Sequence, residues 1–143
     1  MTASVKFIIG LAAVLLIGWL HHGPFGHGEA LVGRLESGAR TAVAAAEVPG
    51  VEVRLGRDPL SRRATLSGPA NEFQREGMGE FPGLDDRVGA IEGISDTQWA
   101  DEGDLSTGIP LLLESLALVL IAYLVGVAAA GLLFGRRKRD GYL

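Results

Sequence analysis

The chain has 143 residues, 48% of them hydrophobic and 21% charged, with a net charge of −4 at neutral pH. That length holds one modest domain with its anchors rather than two catalytic domains. The absence of cysteine excludes disulfides, thiolate metal sites, c-type haem attachment and a cysteine nucleophile. A pI near 5.3 argues against nucleic acid as the main partner.

A mean hydropathy of +0.27 is high for a chain with 13 basic and 17 acidic residues, so the apolar residues must be unevenly placed. Residues 21–109 hold 31 apolar residues in 89 positions, against 37 in the other 54. The middle reads as a globular segment and the ends as membrane.

Residues 1–22 are predicted to form an N-terminal transmembrane helix. Phe7–Leu20 is an uninterrupted apolar run of 14 residues, lengthened by Ala3–Val5 and by a snorkelling Lys6. Trp19, His21 and His22 fall where an interfacial belt belongs. A cleaved signal peptide is the rival reading. The first small-x-small site, Gly28-Glu29-Ala30, lies well beyond the apolar run and behind Pro24, which favours a retained anchor.

Residues 23–28, rich in glycine and carrying Pro24, are expected as a linker. Helical spacing then begins: Leu31, Leu35, Ala39, Ala42, Val43 and Ala46 share one face, with Arg34, Glu36, Arg40 and Thr41 on the other. Pro49-Gly50 ends the helix. Val51, Val53 and Leu55 alternate with Glu52 and Arg54, the pattern of a half-buried strand. Gly56-Arg57-Asp58-Pro59 is turn chemistry, and Ala64 and Leu66 alternate with Arg63, Thr65 and Ser67 up to Gly68-Pro69, so a hairpin is predicted. Asn71 caps a short helix that Gly77, Gly79 and Pro82-Gly83 interrupt. Leu84, Val88 and Ile91 resume helical spacing behind Asp85 and Asp86, and Gly93-Ile94 opens a last strand toward Trp99.

The fold class expected is therefore membrane α+β: a small α-β-β-α-β domain over residues 29–100, an acidic linker over 101–108, and a second transmembrane helix over 109–135. Ser115–Gly135 is a 21-residue stretch without charge, enough at about 1.5 Å per residue to cross roughly 30 Å of hydrocarbon. The basic tail, residues 136–143, opens with Arg136-Arg137-Lys138-Arg139, the mark of a cytoplasmic flank. Two spans then put both termini in the cytoplasm, in the inner membrane of a bacterium. Residues 21–109, with 8 basic and 15 acidic side chains, are expected in the periplasm.

Val51-Glu52-Val53, Leu66-Ser67-Gly68 and Gly93-Ile94, set in that element order, resemble the BON domain, a small module of bacterial envelope proteins. The resemblance covers about half the chain. The second helix, split between Gly77 and Gly83, and Pro59 and Pro69 at the ends of the second strand depart from the family's pattern. The resemblance implies an envelope interaction role, toward phospholipid or other envelope components, and carries over no catalytic residues.

Several side-chain groups invite chemistry. His21, His22 and His27 are the most ligand-like set. No cysteine and only distant carboxylates accompany them, so a polar interfacial linker is expected and no metal or other cofactor is assigned. Asp96, Asp101, Glu102 and Asp104 lack the spacing of a calcium loop and read as a solvated linker. Arg57, Arg62 and Arg63 crowd one hairpin and are candidates for contact with phosphate headgroups or an acidic partner. Ala122, Gly126 and Ala130, with Gly131 and Gly135 on a neighbouring face, repeat at the four-residue step that lets membrane helices approach closely. Gly10 and Gly18 add to this on the first span.

No nucleophile–base arrangement, P-loop or dinucleotide fingerprint is present, so no enzymatic activity is expected. The expected function is a non-enzymatic two-span membrane protein presenting a BON-like domain to lipid or protein. A small accessory subunit stabilising a larger respiratory or photosynthetic membrane assembly is the alternative, and a periplasmic metal-handling protein is a third. The expected partners are membrane lipids and an integral-membrane protein or a second copy. A middle domain of about 70 residues is marginal on its own, which favours work within an assembly.

Overall fold

Helix α1 (Ala3–His22) begins where the Thr2 side chain accepts a hydrogen bond from the Val5 N–H and ends at Gly23. Helix α5 (Leu111–Phe134) is longer. Both are long and apolar enough to cross a membrane, and neither central stretch is buried in protein. A core helix of a soluble domain would hide that surface, whereas here it is left for lipid. The computed structural model describes residues 2–102 and 108–134. The chain divides into a helical unit, residues 1–25 with 112–143, and an α/β unit, Gly26–Leu111.

Within the helical unit the two helices meet through glycine and tyrosine. The Tyr123 hydroxyl donates to the Phe7 carbonyl at 2.7 Å, and the two rings stand 5.5 Å apart. Gly10 makes this possible, because a Cβ there would lie 2.6 Å from the Tyr123 hydroxyl oxygen. Gly18 is buried, and its Cβ would come within 3.1 Å of Leu116. In a medium that gives helices no hydrophobic reason to associate, such close approach and a shared hydrogen bond supply the attraction.

In the α/β unit, α2 (His27–Ala45) starts earlier than its periodicity indicates, so the expected linker shrinks to Gly23–Gly26. Strands β1 (Glu52–Arg57) and β2 (Leu60–Ser67) form the hairpin. Next come α3 (Glu72–Glu76), a two-stranded insert of β3 (Gly77–Met78) and β4 (Phe81–Pro82), α4 (Leu84–Gly89) and β5 (Asp96–Trp99). The insert is how the structure resolves the glycine-rich interruption between the two short helices. Asn71 caps α3 in a reciprocal box with Gln74, both bonds 2.9 Å, which satisfies two otherwise orphaned N–H groups.

The main sheet is mixed. β2 lies centrally, antiparallel to β1 and parallel to β5, so the order is β1-β2-β5. One face of α2 (Val32, Leu35, Ala39 and Val43) packs over Val53, Leu55, Ala64 and Leu66, with Leu84, Val88, Trp99 and Leu111 completing the core. Strand alternation decides which residues enter, since Val53 and Leu55 are buried while Glu52 and Arg54 are exposed. Two glycines mark forced geometry. Gly68 has φ +129° and a Cβ there would strike the Gly50 carbonyl oxygen; Gly93 has φ +104° and its Cβ would meet Leu35 at 2.9 Å. An L-side chain is strained at either position, and at Gly68 the neighbouring backbone also blocks it.

Candidate functional site

A groove of ≈ 730 Å³ lies between the C-terminal half of α2 and strand β1. Val43, Val48, Val51 and Val53 give it an apolar lining, and Arg40, Glu47, Glu52 and Arg54 supply charges of both signs. β1 is an edge strand of its sheet, so the groove runs beside backbone that β2 does not cover.

Arg40, which lines the groove, is held by Glu36. Sequence periodicity puts this residue on the polar face of α2, yet it is 7% exposed. Glu36 is one turn after Val32 and three residues before Ala39, which places it inside the buried stripe, and that spacing was the signal available. Its carboxylate is shared between Arg40, one turn along the helix, and Arg57 at 2.8 Å from the end of β1. Burial alone raises the Glu36 carboxyl. The hydrogen bond from Arg57, the charges of Arg57 and Arg40, and a hydrogen bond from the Leu55 backbone outweigh it and hold the group below its usual value. This cluster fastens α2 to the rim of the sheet.

The opposite side of the unit carries a second cluster. Trp99 is 1% exposed; its indole N–H donates to Asp85 at 2.9 Å, and the Arg75 guanidinium lies over its ring at 4.2 Å. Arg75 in turn donates twice to Asp101, at 2.8 and 2.7 Å. The Trp99 backbone N–H donates to the Glu102 carboxylate at 3.4 Å. Burial pushes the Asp85 carboxyl up; the bond from Trp99 opposes this, while nearby Glu102, Asp86 and Glu76 raise it further. Asp85→Asn keeps an acceptor for the indole and removes the charge. Above the carboxylate range this variant is expected to raise the melting temperature by a few degrees, with no difference from wild type near pH 3, where Asp85 is already protonated. Thermal unfolding of the full chain at both pH values measures it.

These clusters redistribute the residues singled out from sequence. The three arginines do not converge. Arg57 serves Glu36 on α2, Arg62 donates to the Gly93 carbonyl at 3.0 Å, and Arg63 engages Asp96 and Gln98 on β5. The acidic set is likewise divided: Asp96 goes to Arg63, Asp101 to Arg75 and Glu102 to Trp99, while Asp104 lies outside the described residues. The start of the expected solvated linker is thus held by the domain. His21 and His22 end α1 and His27 begins α2. Among the described residues, no three His, Cys, Asp or Glu side chains gather as metal ligands.

On α5, Ala122, Gly126, Ala130 and Gly131 are exposed. A Cβ at Gly126 or Gly131 would meet nothing within 4 Å, so neither glycine takes part in the contact with α1. Gly135 and the basic tail lie outside the described residues. Comparison with known proteins found no matching family model, curated sequence or solved structure.

Proposed function

We propose that this chain is a non-enzymatic membrane-anchored interaction protein. In this reading α1 and α5 span the inner membrane with both termini cytoplasmic, and a BON-like α/β domain projects into the periplasm to engage an envelope partner. The observation that carries the reading is a groove of mixed apolar and charged lining beside an uncovered sheet edge, on a small domain set between two helices of membrane-spanning length. The layout agrees with the element order that the resemblance implies, a leading helix, a hairpin, a helical segment and a last strand. An edge strand flanked by a helix is a general means of recognising an extended backbone. The arginines, each engaged within the domain, leave the groove rather than a headgroup site as the contact surface.

A second reading, an accessory subunit of a larger membrane assembly, is favoured by the open small-residue face of α5, which offers another span a close approach. Purification of the full chain in mild detergent separates the two. Under the first reading, Ala44→Arg, which places a cation in the groove, abolishes the association while Gly126→Leu leaves it intact. The reverse pattern, with large integral subunits co-purifying in fixed ratio, selects the second. Compartment reporters fused at Ser67 and Leu143 test the topology, and a cytoplasmic signal at Ser67 overturns it.

A further inference from the structure

The outer edge of β1 has a direction and a charge pattern that together specify an occupant. The Ala100 N–H donates to the Leu66 carbonyl at 2.9 Å, so Leu66 turns its backbone groups toward β5. Its antiparallel partner Val53 therefore sits in a non-hydrogen-bonded pair of the β1–β2 ladder and points its own N–H and C=O to the outer edge. Leu55, two residues on, has the same orientation, and its N–H is the one that meets Glu36. Beside Val53 the exposed side chains are Glu52 and Arg54, of opposite sign and on the same face, where Arg54 donates to Glu52 at 3.2 Å in a solvent-exposed pair that can exchange partners with the same pair of another copy.

We infer that this edge pairs with the same edge of a second copy, antiparallel and centred on Val53. The two Val53 residues then exchange both backbone hydrogen bonds across a two-fold axis, as a self-complementary interface requires. In this register Glu52 of each copy stands opposite Arg54 of the other. An in-register parallel pair would instead set Glu52 beside Glu52 and Arg54 beside Arg54, so the charges select both direction and register. The Val51 N–H gains the Leu55 carbonyl of the other copy, while Glu36 keeps the Leu55 N–H and ends the pairing there. The resulting contact is short. It suffices because confinement to one membrane raises the effective concentration of the two domains, and on that point the inference rests on the membrane-anchored reading.

The absence of native cysteine makes the test direct. Full-length Glu52→Cys and Arg54→Cys chains carrying different tags are mixed, reconstituted into phospholipid vesicles and oxidised. Opposed positions in a non-hydrogen-bonded antiparallel pair have Cα atoms about 4.5 Å apart, within disulfide range. The mixture is expected to give at least about ten times more disulfide dimer than either variant alone. A charge test keeps the result independent of sulfur chemistry. Glu52→Arg and Arg54→Glu are each expected to weaken self-association about tenfold, and an equimolar mixture of the two restores it, because every opposed pair is again of opposite sign. Equal cross-linking in all samples, none in the mixture, or no recovery on mixing the charge variants overturns the inference. If the cross-link fails while Ala44→Arg still abolishes association with a different protein, the groove has another occupant and the proposed function stands. If neither holds, both fall.

Discussion

Replacement of Trp99 by alanine is expected to unfold the α/β unit. The indole fills the end of the core where β5, α3 and α4 meet, with 1% of its surface exposed. Removing a buried aromatic side chain costs about 3–5 kcal/mol, a large share of the roughly 5–15 kcal/mol that holds a typical domain together. The substitution also strands Asp85, which loses the indole donor, and removes the ring beneath Arg75. Trp99→Phe separates these effects: it retains most of the packing and loses the hydrogen bond, for an expected cost of about 1–2 kcal/mol. Amide hydrogen exchange on the full chain in detergent reads the outcome. Protection in β2 and α4 should vanish in the alanine variant and fall only partly in the phenylalanine variant, while α1 and α5 keep theirs. Unchanged protection of β2 with alanine at position 99 would show that the core does not depend on the indole.

The second large effect is expected at Glu36. Its carboxylate joins α2 to Arg57 and to the Leu55 backbone, contacts that no neighbouring side chain replaces. Glu36→Ala removes a charge-assisted hydrogen bond and exposes an unfilled space in the buried stripe, for an expected loss of about 2 kcal/mol. The cost stays below that of breaking a fully buried ion pair, because Arg40 and Arg57 reach water when released: their side chains are 63% and 54% exposed. The same residue fixes a pH dependence. Since the folded carboxyl lies below its ordinary value of 4.5, its contribution is fully present above that value and is lost as pH falls through the lowered folded one. Glu36→Gln should therefore flatten the acid side of the stability profile below about pH 5 and lower the plateau at neutral pH. An acid limb identical to wild type would remove Glu36 from this role. Asp85 acts in the opposite sense: its raised carboxyl favours the fold when protonated, so its ionisation on raising the pH reduces stability.

Local patterns made much of this architecture legible. The two membrane-length runs, the alternation of Val53 and Leu55 and of Ala64 and Leu66, and the capping role of Asn71 depend on residues within one or two turns of each other. Their signals survive without knowledge of the rest. Glu36 reads as exposed from the sequence because an acidic side chain is a poor candidate for a buried position until its partner is known. That partner, Arg57, is 21 residues away on another element. The arginines of the hairpin and the acidic residues around β5 read as separate groups in sequence, but the fold divides each of them: Arg63 pairs with Asp96 on β5, Arg57 with Glu36 on α2, and Asp101 with Arg75 on α3. The small-residue repeat on α5 was visible, but only the packing shows that Gly10 and Gly18 form the contact within the helix pair and that Gly126 and Gly131 do not.

Taken alone, the amino-acid sequence determined the division into apolar ends and a polar middle and the order of the domain's principal elements. It also determined the faces that strands and helices bury, because burial follows periodicities of 2 and 3.6 residues. Tertiary structure alone decided the sheet order, which leaves β1 at an edge, and the direction in which the Val53 backbone points. It also decided which charges are occupied inside the domain and which face outward. Those outcomes rest on pairings between residues far apart in the chain, whose energies are set by geometry and shared desolvation rather than by neighbours in sequence.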